Sequence, residues 1–93
     1  MNKEKITALE TKRISSMVGR VVKHFKEKLY LVMDVCENTE TGELMVFYKA
    51  LYGYNQNYVR NAKMFTSEVD HEKYPEVKQK YRFELVEDYD KSL

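Results

Sequence analysis

GRVVKHF (residues 19–25), KLYLVMDVC (28–36) and LMVFYKALYG (44–53) are three apolar, aromatic-rich segments set apart by turn-forming stretches. β-Branched and aromatic side chains dominate them, the composition that suits a pleated, half-buried surface. Lys26-Glu27-Lys28 is expected to turn Arg20–Phe25 into Leu29–Cys36 as a hairpin. The polar stretch Glu37–Glu43, which contains Gly42, is the expected loop of a second hairpin whose far strand is Leu44–Leu51. Val59-Arg60 opens another short strand, and Tyr81–Val86 alternates as a closing one. The pattern is mainly β, a small twisted sheet or barrel.

Side chains alternate across a strand, so Leu29, Leu31, Met33 and Val35 are expected on one face, with Tyr30, Val32, Asp34 and Cys36 on the other. In the third strand Leu44, Val46, Tyr48 and Ala50 oppose Met45, Phe47, Lys49 and Leu51. Both faces carry apolar bulk, so the outer one needs a cover. Terminal helices are the first expectation, ahead of a second copy of the chain or a ligand. Upstream, Thr7 and Glu10 fit a capping box, and Ile6, Leu9 and Met17 are apolar in a polar setting, which reads either as a short helix or as a frayed terminus. Downstream, Asp70-His71-Glu72 reads as a solvated helix start, and Pro75 stands where a first helical turn over Glu76–Lys80 would place it. Three parts result: a basic arm or short helix over 1–18, a domain over 19–86 and a polar tail over 87–93.

Ninety-three residues make one domain, which buries roughly 60–70% of its unfolded surface. With 43% hydrophobic and 33% charged residues the chain falls among ordinary globular domains. No apolar run reaches the length of a membrane span, and charges occupy the place where a secretory leader would be apolar, so a cytoplasmic location is expected. The lone Cys36 has no intramolecular disulfide partner. A net charge of +1 conceals a gradient: residues 1–24 hold six bases and two acids, whereas residues 69–93 hold five bases and seven acids. A basic arm of this kind suits nucleic acid or an acidic partner, and equally a solvated chain end.

GRVVKHFK, Tyr30 and Val32, NTETGE, Val46 and Tyr48, Leu51-Tyr52-Gly53, Val59-Arg60 and Met64-Phe65, taken in order, resemble the bacterial family catalogued as domain of unknown function 1653. The resemblance covers residues 19–68 and continues into YPEVKQKYRFEL (74–85). It implies an SH3-like barrel and no activity, and with the strand pattern it gives the expected architecture: a five-stranded SH3-like barrel with short terminal helices. The family pattern carries an aromatic residue before Val-Arg and a proline after it. Here Tyr58 and Asn61 stand in those places.

The candidate binding residues are Tyr48, Tyr52 and Tyr58 with His24, Tyr30 and Arg60. Tyrosine joins a rigid apolar plane to a polar tip, and an exposed group of them on such a barrel holds peptides, cations or unstacked bases. Each ring has the competing role of filling a core that lacks tryptophan. Arg60 suits a carboxylate or phosphate, or an internal bridge to Glu68 or Asp34, and His24 reads foremost as a structural histidine. Recognition of a protein or peptide by a monomer or homodimer is the leading expectation. Single-stranded RNA or DNA, held by the same rings with Arg60, Lys49, Lys63 and the basic arm, comes second. An enzyme built on Cys36 and His24 lacks an orienting acid and an oxyanion motif, so Cys36 reads as a buried inert thiol. The chain carries no metal-ligand spacing, no phosphate-cradling glycine loop and no signal for a cofactor or membrane partner.

Overall fold

The computed structural model describes residues 5–87; the remainder of the expected polar tail, residues 88–93, and Lys3 of the basic arm lie outside the described residues. Thr7 and Glu10 form the capping box: Glu10 N–H donates to Thr7 Oγ1 at 3.1 Å and Thr7 N–H to Glu10 Oε1 at 2.9 Å. Helix α1 (Ala8–Ser15) follows, and Ile14 and Met17 are buried in the main core, so this segment packs rather than frays. Strands β1 (Val21–His24), β2 (Leu29–Glu37), β3 (Leu44–Ala50) and β4 (Asn57–Asn61), then helix α2 (Ala62–Phe65) and strand β5 (Phe83–Leu85), complete the chain. The β1–β2 turn needs Glu27 in the left-handed region, φ 76°, and the β2–β3 turn places Gly42 there at the same angle.

All five strands join one antiparallel sheet in the order β4-β3-β2-β1-β5. Its inner face carries Val22, Val32, Val46, Tyr48 and Phe83, closed over by Ile14, Met17 and the α2 residues Ala62 and Phe65. The alternation expected for β2 holds only as far as Val32. Val32 pairs with Tyr48 while Asp34 pairs with Phe47, so Met33 is an extra residue, a β-bulge. One inserted residue reverses every later side chain. Val35 therefore packs toward the core opposite Val46, and Met33, 38% exposed, does not share its face.

The sheet is not closed into a barrel: β4 and β5 remain its two edges. The chain leaves β4 directly into α2, because Asn61 caps that helix by accepting from Met64 N–H. Phe65 of α2 then stacks on Phe83 of β5, centroids 4.0 Å apart and rings within 5° of parallel. Aromatic stacking fills the space that strand pairing would occupy in a closed barrel.

Two further expectations are corrected. No helix forms after Pro75; Asp70 Oδ1 instead accepts from Glu72 and Lys73 N–H, and Val77 N–H returns to the Tyr74 carbonyl, a run of turns. The terminal helix does not cover the outer face either: Ile14 lies in the inner core and Leu9 stays in water. Met33 and Val59, the latter 61% exposed, stay in water.

Candidate functional site

The register of the sheet brings the sequence-predicted residues to one end of one face. His24 is paired with Phe83, Tyr30 with Val22 and Ala50, Tyr48 with Val32 and Tyr58, and Arg60 with Val46. Their partners Val22, Val32, Val46 and Phe83 are buried core residues, so all five point to the inner side. The loop after β3 adds Tyr52.

The rings touch one another. Tyr30 meets Tyr48, Tyr52 and Tyr58 edge-on at 5.3, 5.5 and 6.4 Å, and Tyr48 lies 5.6 Å from Tyr58. Tyr48 is 4% exposed and belongs to the core, whereas Tyr52 and Tyr58, 37% and 39% exposed, form the open rim. The Tyr30 and Tyr52 hydroxyls share a hydrogen bond of 2.8 Å. Burial, then that bond and the neighbouring phenols, raises the Tyr30 hydroxyl well above an ordinary phenol; desolvation also raises Tyr58.

Arg60 borders it, donating from Nε to the Tyr48 hydroxyl at 3.2 Å, with its guanidinium 6.0 Å from the Phe83 centroid. The expected bridge to Glu68 or Asp34 does not form; Asp34 accepts from its neighbour's N–H. His24 is structural in part: Nδ1 accepts from Lys26 N–H at 3.0 Å and its ring lies against Phe25 and Phe83. Burial first, then Arg60, Lys26 and Arg82, pushes its pKa down from 6.5 to about 4.

Arg82, Lys26 and Lys73, which gather with His24 and Arg60 around a cavity, were missed from sequence. In an alternating strand Arg82 takes the parity opposite to Phe83, which signals an outward charge. β5 begins one residue later, at Phe83, and Arg82 sits in the preceding bend, where that parity does not apply.

Other sequence candidates are not brought together. Cys36 is exposed rather than buried, and it pairs with Met45 on the outer face, away from His24. Arg13 of the basic arm and Lys23 of β1 are engaged within the chain. Arg13 donates to the Phe83 carbonyl at 2.6 Å and to Thr66 Oγ1 at 2.8 Å, with its guanidinium over the Tyr81 ring, and Lys23 pairs with Glu27. Among the described residues no group of three His, Cys, Asp or Glu could hold a metal ion, and no helix is long and apolar enough to cross a membrane.

Residues 20–85 match the model of a family described as "Protein of unknown function (DUF1653)". The chain belongs to this family. The crystal structure of a DUF1653 protein from Bordetella bronchiseptica superposes with a TM-score of 0.61 at 24% identity, covering 75% of this chain and 87% of that one, and shows a shared fold. No curated protein matches the chain. In this DUF1653 domain Asn61 holds the turn after Arg60 without a proline ring. Its φ is −52°, its Oδ1 caps α2, and its Nδ2 donates to Glu43.

Proposed function

We propose that this DUF1653 domain is a non-catalytic recognition module that binds an extended protein segment against the tyrosine cluster and along β4. The observation that carries this reading is the pair Tyr52 and Tyr58, exposed at the rim of a pre-formed ring cluster beside an edge strand. An edge strand presents unpaired backbone N–H and C=O groups to an incoming strand, and adjacent side chains supply selectivity. Rings already held by contacts and by the Tyr30–Tyr52 hydrogen bond lose little freedom on binding.

Single-stranded nucleic acid ranks second. Stacking of bases needs open ring faces, whereas the cluster packs edge-on and Lys28 Nζ lies 4.9 Å over the Tyr52 ring. The engagement of Arg13 within the chain also weakens the arm as a phosphate-tracking element.

Selection of the full chain against a displayed random-peptide library tests the reading. Enriched peptides are expected to lose about tenfold or more in affinity on Tyr52→Ala or Tyr58→Ala, as central aromatic anchors do, while the thermal midpoint moves by only a few degrees. Peptides that bind both variants unchanged would refute it, as would unfolding of both variants. Salt-sensitive capture of labelled oligonucleotides in place of peptides would promote the second reading.

A further inference from the structure

Beside the tyrosine rim lies a cavity of about 310 Å³. Arg60 of β4 lines it on one side and Arg82, immediately before β5, on the other; Lys26 and Lys73 complete a set of four cations. Phe25 and Tyr74, ring centroids 5.1 Å apart, form an aromatic wall that gathers the two ammonium groups. Lys26 Nζ lies 5.7 Å and Lys73 Nζ 5.4 Å from the Tyr74 centroid.

One acid, Asp70, lines the cavity, and its Oδ1 is already occupied by the N–H groups of Glu72 and Lys73. Among the described residues none of the four cations makes an ion pair. Arg82 Nε is buried with no hydrogen-bond partner, an unusual state for a guanidinium. His24 also lines the space; with Nδ1 accepting from Lys26, its neutral form carries the proton on Nε2 and offers one more donor.

We infer that this cavity binds a phosphate dianion, borne either by a small molecule or by a phosphorylated side chain. Guanidinium forks match phosphate oxygens two at a time, and ammonium groups add charge without geometric demand. A singly charged carboxylate would leave most of the positive charge uncompensated. The inference goes beyond the peptide reading and does not depend on it, since Arg60 is the only sequence-predicted cation the two sites share.

Titration of the full chain in phosphate-free, low-salt buffer, followed by amide and histidine NMR shifts, tests it. The probes are inorganic phosphate, N-acetyl-phosphoserine amide, ribose 5-phosphate and acetate. Saturable shifts confined to His24, Lys26, Arg60, Lys73 and Arg82 are expected with the phosphates, and weaker ones with acetate. Arg82→Gln and Lys73→Gln should each weaken phosphate about tenfold or more. Lys49→Gln, which removes a charge from the outer face, should change affinity by less than about twofold. Tighter binding of the phosphoserine derivative assigns a modified side chain as the source, and tighter binding of the sugar phosphate assigns a small molecule. The inference is overturned by shifts that do not saturate at tens of millimolar, by shifts spread over surface lysines, or by Lys49→Gln weakening as much as Lys73→Gln. Lys73 is exposed, so its variant carries the test if Arg82→Gln does not fold. Loss of peptide binding in Tyr52→Ala with phosphate binding retained would strike the peptide reading alone.

Discussion

Lowering the pH from 7.5 to 5 should destabilise this domain through His24. In the fold its pKa is about 4, because burial and then Arg60, Lys26 and Arg82 oppose a charge on the ring; Lys73 and Asp70 also line the space it faces. Unfolded, the ring returns to its ordinary value of 6.5. Below that value the unfolded chain binds a proton that the folded chain refuses, so stability falls as pH drops through the window from 6.5 to 4. Full expression of the shift would cost about 2 kcal/mol at pH 5. The ring is only half-buried, and solvent screening reduces this to about 1 kcal/mol, or roughly 4–8 °C in the melting midpoint of a domain this size. Glu10, held low by the Thr7 N–H and by Lys63, adds its own loss mainly below its ordinary value of 4.5, beneath the pH 5 end of the experiment. The assay is thermal denaturation of the parent and His24→Gln at both pH values. The variant starts lower, having lost ring contacts with Phe25 and Phe83, but its midpoint should depend less on pH. Equal pH dependence in the two proteins would refute the reasoning, as would a parent protein more stable at pH 5.

Three further outcomes are open to urea denaturation. Phe65→Ala removes a fully buried ring stacked on Phe83 and should cost about 3–5 kcal/mol; a loss below 1 kcal/mol would mean that the stack is not what joins α2 to β5. Thr7→Ala deletes the acceptor for Glu10 N–H and should cost about 1 kcal/mol, with no effect on ligand affinity. Gly42→Ala forces an alanine to φ 76° with no steric contact to blame, so a loss of about 1–2 kcal/mol would report backbone strain alone.

Much of this arrangement was legible because short-range rules govern it. Alternation alone places Tyr48 with Val46 and Ala50, and the structure keeps that face. The capping box announced α1 from Thr7 and Glu10. The bulge at Met33 was not legible: an extra residue leaves no mark when it is itself apolar, and the pattern reads smoothly across it. Pro75 misled because a proline suits a turn as well as a first helical residue, and nothing local separates the two. Arg82 escaped because its place depends on where β5 starts, which pairing with β1 decides over a long sequence separation. The same holds for Arg60, whose internal bridge was a guess about distant carboxylates. Its observed partner, the Tyr48 hydroxyl, lies on the strand next to it.

The open sheet and the candidate site have one cause. A closed barrel would pair β4 with β5 and place their backbones about 5 Å apart, too close for Arg60 and Arg82 to face a shared cavity. In this chain Asn61 ends β4 by capping α2, and α2 delivers Phe65 onto Phe83. The apolar half of the gap is thereby filled, while the half toward Tyr74 stays open and is bordered by both arginines. Barrel closure would bury the same apolar surface, but it would also bring guanidinium groups together without an anion between them, and each would carry an uncompensated desolvation cost. The cations therefore disfavour closure. A dianion that neutralises them should draw the two edges nearer.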